Sequence, residues 1–319
     1  ALDIGNPRVM TSKEALQLPD IPEKLLVVGG GYIGMELGTV YARLGSNVTL
    51  VEALERVLPE ADAELARIPQ RRVKKAFADI RVNTEIGSLE TAGEQVLATL
   101  VDRDSGGTRD ALFDRVFASV GRQPNSDGLG LENTDIECND DGCVRVDHRG
   151  MTAVEPVFAV GDLAGDPMLA HHGVMEARVA VDAITGAPNT RTGRVTPAVI
   201  FTDPELAWCG LSEADAKDEG IEYTVSRFPW QASGRALTFD RTDGLTKIVS
   251  DANSERVLGV GIAGRNAGEL IAEGVLAIEM GATMTDLAEV IHPHPTLSET
   301  ISEAAHTFFG HPLHTQPGG

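Results

Sequence analysis

The chain has 319 residues, enough for two or three domains with cores of their own. Its 42% hydrophobic and 24% charged residues suit a soluble globular protein, and no apolar run is long enough to span a membrane. A net charge of −21 argues against a nucleic-acid partner. No secretory signal is found, so the expected location is cytoplasmic. Only six of the 27 basic residues are lysines. An acidic, lysine-poor surface is expected of a halophilic protein, although a high-GC genome also favours arginine. Three cysteines do not make a disulfide framework.

Residues 1–20 read as a crossover from another domain, closed by Pro19 and Pro22. Leu25–Val28 is a short apolar run of the length of a buried parallel strand. Gly29-Gly30-Gly31-Tyr32-Ile33-Gly34 follows and fits G-x-G-x-x-G. Ile33, Leu37, Val40, Tyr41 and Leu44 then define one helical face, and Gly45 marks its end. Asn47–Val51 is a second β-branched run that closes on Glu52.

Each part of this stretch has a physical task. Gly29 allows the tight turn, Gly31 lets a pyrophosphate approach the backbone, and Gly34 lets the helix pack close to the sheet. The helix start offers free N–H groups and partial positive charge to phosphate. Glu52, eighteen residues after Gly34, can accept hydrogen bonds from both adenosine ribose hydroxyls. It would repel a 2′-phosphate, so NAD is expected over NADP. The alternative reading is a glycine-rich turn with no ligand.

A helix is expected over Asp62–Phe77, with Asp62 as N-cap and Pro69 kinking or splitting it. Strands are expected at Ile80–Thr84, Val96–Asp102 and Arg115–Val120, with a turn at Ser105-Gly106-Gly107. This bounds a nucleotide domain of residues 21–120. Residues 121–193 form a central segment. It holds a hairpin over Asp135–Asp147, a strand at Val157–Val160 and a helix from Met168 to Ile184. Residues 194–310 change character. Strands at Ala198–Phe201, Tyr223–Phe228, Leu245–Ser250 and Val257–Ile262 precede helices at Ala267–Met280 and Thr296–Phe309. Ser212–Asp215 reads as a capping box. That order suggests an α+β domain with an antiparallel sheet, followed by a frayed tail at 311–319.

At this point the chain resembles the flavoprotein disulfide reductases, and among them the branch that oxidises dihydrolipoamide. The stretches that carry the resemblance are VVGGGYIGMELGTVYARLG, SVGRQPN, VFAVGDLAGDPMLAHHG, FTDPELAWCGLSE, FPWQASGRAL and HPHPTLSE. They cover nearly the whole length in the family's order. The resemblance implies an α/β fold: a Rossmann-like NAD-binding domain, a central FAD-contacting segment and a C-terminal α+β dimerisation domain. It also implies an additional FAD domain with a C-x₄-C redox pair, which this sequence does not include. Cys138 and Cys143 share that spacing, but Asn139-Asp140-Asp141-Gly142 reads as a hairpin turn whose acids disfavour a thiolate.

The resemblance assigns further residues. Asp162 would bond the flavin ribityl chain, and Met168, Leu169, Ala170 and His171 would lie against the flavin. Tyr32, beside Ile33, would be a gate that shields the flavin when nicotinamide is absent, Glu36 would pair with a lysine of the FAD domain near the nicotinamide, and Gly121 would touch the cofactor. His294 in H-x-H-P-T would be the base that takes a dithiol proton, with Glu299 orienting it. Read without the family, Thr296 and Glu299 are equally a T-x-x-E capping box. The implied enzyme uses FAD and NAD and is a homodimer. Its partner is the acyltransferase (lipoyl domain) of a 2-oxoacid dehydrogenase complex. Two alternatives are a glutathione- or mercury-reducing relative and a non-catalytic NAD-binding dimerisation module.

Overall fold

A computed structural model describes residues 2, 4–188 and 194–315. The chain divides into two compact units, Ala1–Val120 with Val199–Gly319, and Gly121–Ala198.

The first half of the larger unit begins with β1 (Val9–Met10) and α1 (Ser12–Leu16). It continues through β2 (Lys24–Val28), α2 (Tyr32–Leu44), β3 (Asn47–Val51), α3 (Ala63–Ala76) and β4 (Asp79–Arg81). The strands β5 (Thr84–Ala92), β6 (Gln95–Asp102), β7 (Thr108–Phe113) and β8 (Arg115–Ala118) complete it. A parallel sheet runs in the order β1-β8-β2-β3-β4. Its sequence mark is β2, where Leu25, Leu26 and Val27 are all fully buried. Such a strand must be covered on both faces. Leu25 and Val27 join a core with Met35 and Tyr41 of α2, while Leu26 and Val28 join Leu89, Val96, Ala98 and Phe113. The second cover is therefore the antiparallel meander β5-β6-β7. The sheet also draws β1 from the residues read as a crossover.

Two expectations are corrected here. The inner face of α2 is Gly34, Met35, Gly38, Thr39 and Tyr41, while Val40 and Leu44 are exposed. The small residues turn inward because a Cβ at Gly34 would strike the Gly29 carbonyl and one at Gly38 would strike Phe77. Pro69 does not split α3, which runs unbroken from Ala63 to Ala76 with Asp62 capping Glu64 and Leu65. Pro69 itself is buried on the inner face beside Leu65, Ala66 and Val73, and that packing offsets the one missing backbone bond.

The smaller unit holds α4 (Ala170–Thr185) and short 3₁₀ turns at Leu131–Asn133 and Gly161–Leu163. The Asp135–Asp147 hairpin is reduced to one bridge, Cys138 with Val144. Val157–Val160 is not a strand; only Phe158 bridges, to Met151.

The rest of the larger unit contributes β9 (Ala198–Ile200), β10 (Glu205–Gly210), β11 (Tyr223–Pro229), β12 (Leu245–Asp251) and β13 (Val257–Gly264). Its helices are α5 (Glu213–Asp218), α6 (Gly234–Thr238), α7 (Ala267–Met280), α8 (Met284–Glu289) and α9 (Glu299–Phe308). The sheet order is β11-β12-β13-β10-β9, with antiparallel pairing through β11, β12, β13 and β10. The core of the parallel sheet continues into this region through Ile200, Leu206 and Ala263. Among the described residues no helix is long and apolar enough to cross a membrane.

Candidate functional site

The glycine turn has the geometry its sequence demands. Gly29 has φ +105°, and a Cβ there would meet the Ser119 carbonyl. Ser119 Oγ donates to the carbonyls of Val28 and Gly29 at 2.9 and 3.1 Å, which pins the turn to β8. At Gly31 a Cβ would meet nothing within 4 Å. The backbone is open there, as a pyrophosphate cradle requires. The first amide of α2, Tyr32 N–H, donates to the exposed carboxylate Glu60 Oε1 at 3.2 Å. An anion already sits where the helix start favours one. Ile33 is half-buried and packs on the core below.

Glu52 is buried, and its carboxylate faces the turn. Oε2 accepts from Gly30 N–H at 2.6 Å and Oε1 from Leu54 N–H at 2.8 Å. Each oxygen keeps a lone pair for a ribose hydroxyl. The residues therefore fit a dinucleotide. Gly30 and Ser119 were not singled out by sequence, because their contributions are a backbone N–H and a cross-strand hydroxyl.

Glu36 lies one helical turn along α2. Its Oε1 accepts from Phe201 N–H at 2.7 Å. Burial pushes its carboxyl above the usual carboxylate range, and the Phe201 bond opposes this only in part.

In the smaller unit, Arg122 joins two stretches that sequence reading kept apart. Its guanidinium pairs with the Asp162 carboxylate and donates to the Met168 carbonyl at 3.0 Å. Gly121 precedes it at φ +130°. Leu169 is the N-cap of α4 and has no side-chain capping bond, so the first turn from Ala170 keeps its amides. His171 Nε2 contacts the Pro197 carbonyl at 2.6 Å. Asp162 and Met168–His171 thus present, within one unit, an acceptor carboxylate suited to ribityl hydroxyls and helix-start amide donors suited to an electron-rich ring edge. Arg122 stood in SVGRQPN without an assigned role.

Cys138 is exposed and Cys143 buried, and both are free. Cys138 opposes Val144, and Asn139 Oδ1 accepts from Cys143 N–H at 2.8 Å. The two thiols are not cross-strand partners. Cys209 is also free, and burial pushes its thiol up to about 12, which makes it inert.

The loop before α9 carries the remaining candidates. His294 Nδ1 lies 2.9 Å from Glu299 Oε1, and the imidazole side chain is 70% exposed. Glu299 Oε2 accepts from Thr296 N–H at 2.6 Å. One carboxylate thus orients the histidine and caps the chain entering the helix, so the two readings of Glu299 are compatible. Thr296 Oγ1 does not complete the box; it donates to the Pro293 carbonyl at 2.7 Å. The helix accordingly starts at Glu299, with Ser298 as N-cap, not at Thr296. Two residues earlier, His292 Nε2 lies 2.8 Å from Glu273 Oε1 on α7. Nothing local in the sequence marks Glu273 as its partner.

The chain is similar to known proteins along most of its length. Residues 2–177 match the profile of the pyridine nucleotide-disulphide oxidoreductases, and residues 196–305 match their dimerisation domain. A dihydrolipoyl dehydrogenase of Halobacterium salinarum is 44% identical over 98% of this chain and 66% of its own length. One of Vibrio parahaemolyticus is 41% identical over 96% and 64%. The chain thus spans just under two-thirds of these relatives. Among solved structures, the HOCl-induced flavoprotein disulfide reductase RclA of Escherichia coli superposes with a TM-score of 0.85 at 28% identity. That match covers 93% of this chain and 67% of RclA. With residues 2–177, more than half of its length, matched, the chain belongs to the pyridine nucleotide-disulphide oxidoreductase family.

Proposed function

We propose that the protein acts as a dihydrolipoyl dehydrogenase. The observation that carries this reading is the His294–Glu299 pair. An exposed imidazole is held at Nδ1 by a carboxylate, and no protein group among the described residues takes its Nε2. The net reaction oxidises a dithiol to a disulfide. Two electrons and one proton pass as hydride to NAD⁺, and the second proton is released. FAD, together with a redox disulfide that Cys138 and Cys143 do not provide, supplies the electron path when present. His294 Nε2 takes the thiol proton, and Glu299 fixes the ring and favours the charge it then carries.

The other residues bind and orient. Gly31 admits the NAD pyrophosphate on the turn that Gly29 and Gly34 make possible, and Glu52 holds the ribose and rejects a 2′-phosphate. Tyr32 and Glu36 line the nicotinamide side. Gly121, Asp162 and Met168–His171 hold FAD. The dimerisation-domain match supports a homodimer, in which His294 serves the partner's disulfide. The macromolecular partner in this reading is the lipoyl-bearing acyltransferase of a 2-oxoacid dehydrogenase complex. Three free cysteines suit a reducing cytoplasm. The acidic surface and the Halobacterium relative support a halophilic protein.

The test is to split the two half-reactions in the enzyme expressed from its full gene. His294→Ala should abolish most dihydrolipoamide turnover and spare NADH oxidation by an artificial acceptor that draws from flavin. Loss of both activities with fold and flavin intact, or of neither, overturns the assignment. Cofactor choice is checked separately. NAD should exceed NADP in kcat/KM, and equal efficiencies would remove Glu52 from its role.

A further inference from the structure

The base and its carboxylate need a fixed platform, and FPWQASGRAL supplies one that the reading above leaves unused. Trp230 is fully buried. Its indole lies in a slot between two backbones, since a Cβ at Gly244 or at Gly264 would overlap the ring. The slot aims Nε1–H at Thr246 Oγ1, 3.0 Å away on β12. Thr246 Oγ1 is 2.8 Å from Thr300 Oγ1 on α9, and Thr300 Oγ1 is 2.7 Å from the Leu297 carbonyl. Thr246 and Thr300 have no exposed surface.

The direction of this chain is determined by chemistry. The indole can only donate and the carbonyl can only accept. Thr246 therefore accepts from Trp230 and donates to Thr300, which donates to Leu297. Leu297 also accepts from Thr300 N–H at 3.1 Å. The chain thus fastens the 297–300 turn to the sheet. Glu299 lies inside that turn and holds both His294 Nδ1 and Thr296 N–H.

We propose that Trp230, Thr246 and Thr300 are positioning residues, a buried relay that sets the His294–Glu299 pair for dithiol oxidation. The proposal rests on the functional reading above for its kinetic arm only. A merely structural core bond would affect stability. A positioning relay must also move the geometry and the titration behaviour of a histidine that it never touches.

The variant is Thr246→Val, which keeps shape and removes both hydrogen bonds, with Thr246→Ser as the conservative rescue. In the full-gene enzyme, Thr246→Val should lower dihydrolipoamide kcat by ~10–100-fold, the scale of a small misplacement at a reacting centre. It should also displace the pH profile of kcat/KM and leave NADH oxidation by the artificial acceptor intact. Thr246→Ser should restore turnover and profile. In a His294→Ala background Thr246→Val should add no further loss. A second arm records the ¹⁵N resonances of the His294 ring in the folded protein, which should shift towards those of an unbonded imidazole in Thr246→Val. If turnover, pH profile and ring resonances are all unchanged with the fold intact, the relay has no positioning role. If His294→Ala itself keeps turnover, the functional reading fails, and the resonance arm still decides the relay. Should Thr246→Val not fold, Trp230→Phe removes only the first donor and is read the same way.

Discussion

Two histidine–carboxylate pairs lie two residues apart and are built for opposite ends. His292 has a side chain 7% exposed, with Nε2 on Glu273 and Nδ1 3.1 Å from the Val290 carbonyl. The His294 side chain is 70% exposed and, among the described residues, is held at one nitrogen only. The first ring has no atom left for chemistry and ties the loop to α7. The second keeps a nitrogen for a proton. Residue type and partner type are the same, so what separates a strut from the base proposed above is exposure and the count of occupied ring atoms.

The most direct way to break this comparison is to exchange the losses. His294→Ala should cost ~10²–10⁴-fold in dihydrolipoamide turnover, the usual scale of a lost general base. Glu299→Gln should cost less, because in the proposed reaction the proton itself moves through His294. His292→Ala should leave most of kcat in place and instead destabilise by ~1–3 kcal/mol, since it strands a partly buried carboxylate. Denaturant midpoints of the two alanine variants check it. A His292→Ala enzyme as inactive as His294→Ala would end the distinction.

A third pairing sharpens it from the stability side. Lys247 is buried on β12, where its Nζ meets Asp62 Oδ2 at 2.8 Å, Glu64 Oε2 at 3.1 Å and the Glu213 carboxylate. Burial would lower the lysine, but the carboxylates of Asp62, Glu213 and Glu64 outweigh it and raise its pKa. Burial would likewise raise Asp62, but Lys247 and the α3 amides hold it below the usual range. Lys247→Met should destabilise by ~1–3 kcal/mol, since it strands the largely covered Asp62 carboxylate, while Arg227 still pairs with Glu64 and Glu213. The pH signs follow. Asp62 contributes stability above its unfolded value of about 3.9, and this is lost as pH falls through its lower folded value. Lys247 contributes below about 10.4, and this is lost as pH rises through its higher folded value. A melting temperature that is level between those limits and drops outside them in the parent, with both drops reduced in Lys247→Met, is the expected record.

The smallest effect concerns the surface. With a charge of −21, screening should raise the melting temperature as ionic strength goes from 0.1 M to 1 M, where the screening length falls from ~10 Å to ~3 Å. The buried Lys247 cluster should respond little to the same salt. A flat or falling melting temperature would remove the halophilic reading.

The elements read best were those whose signal is local. The β2–turn–α2–β3 stretch, the Asp62 cap and the Ala267–Met280 helix follow from apolar runs, capping atoms and glycines within a few residues. Glu205–Gly210 carries no local strand signal, since its buried residues do not alternate, and only its pairing with β13 makes it a strand. The long β5 strand was missed for a related reason. Six of its nine residues are polar or glycine, and it is stabilised by the ladder with β6 and by covering β2.

By itself the sequence determined the glycine turn and the acid that closes the second strand, because turn geometry and short β-branched runs act over a few residues, whereas the H-x-H loop was legible only through the resemblance. The tertiary structure alone decided which face of α2 is inner, since that depends on Phe77 and Gly29 meeting a helix without side chains in the way. It decided that Glu273, not a neighbour in the chain, takes His292, and that a lysine within an apolar strand run is neutralised by an acid 185 residues away. A buried charge or a ring nitrogen must find its partner in space. No pattern of nearby residues records where that partner comes from.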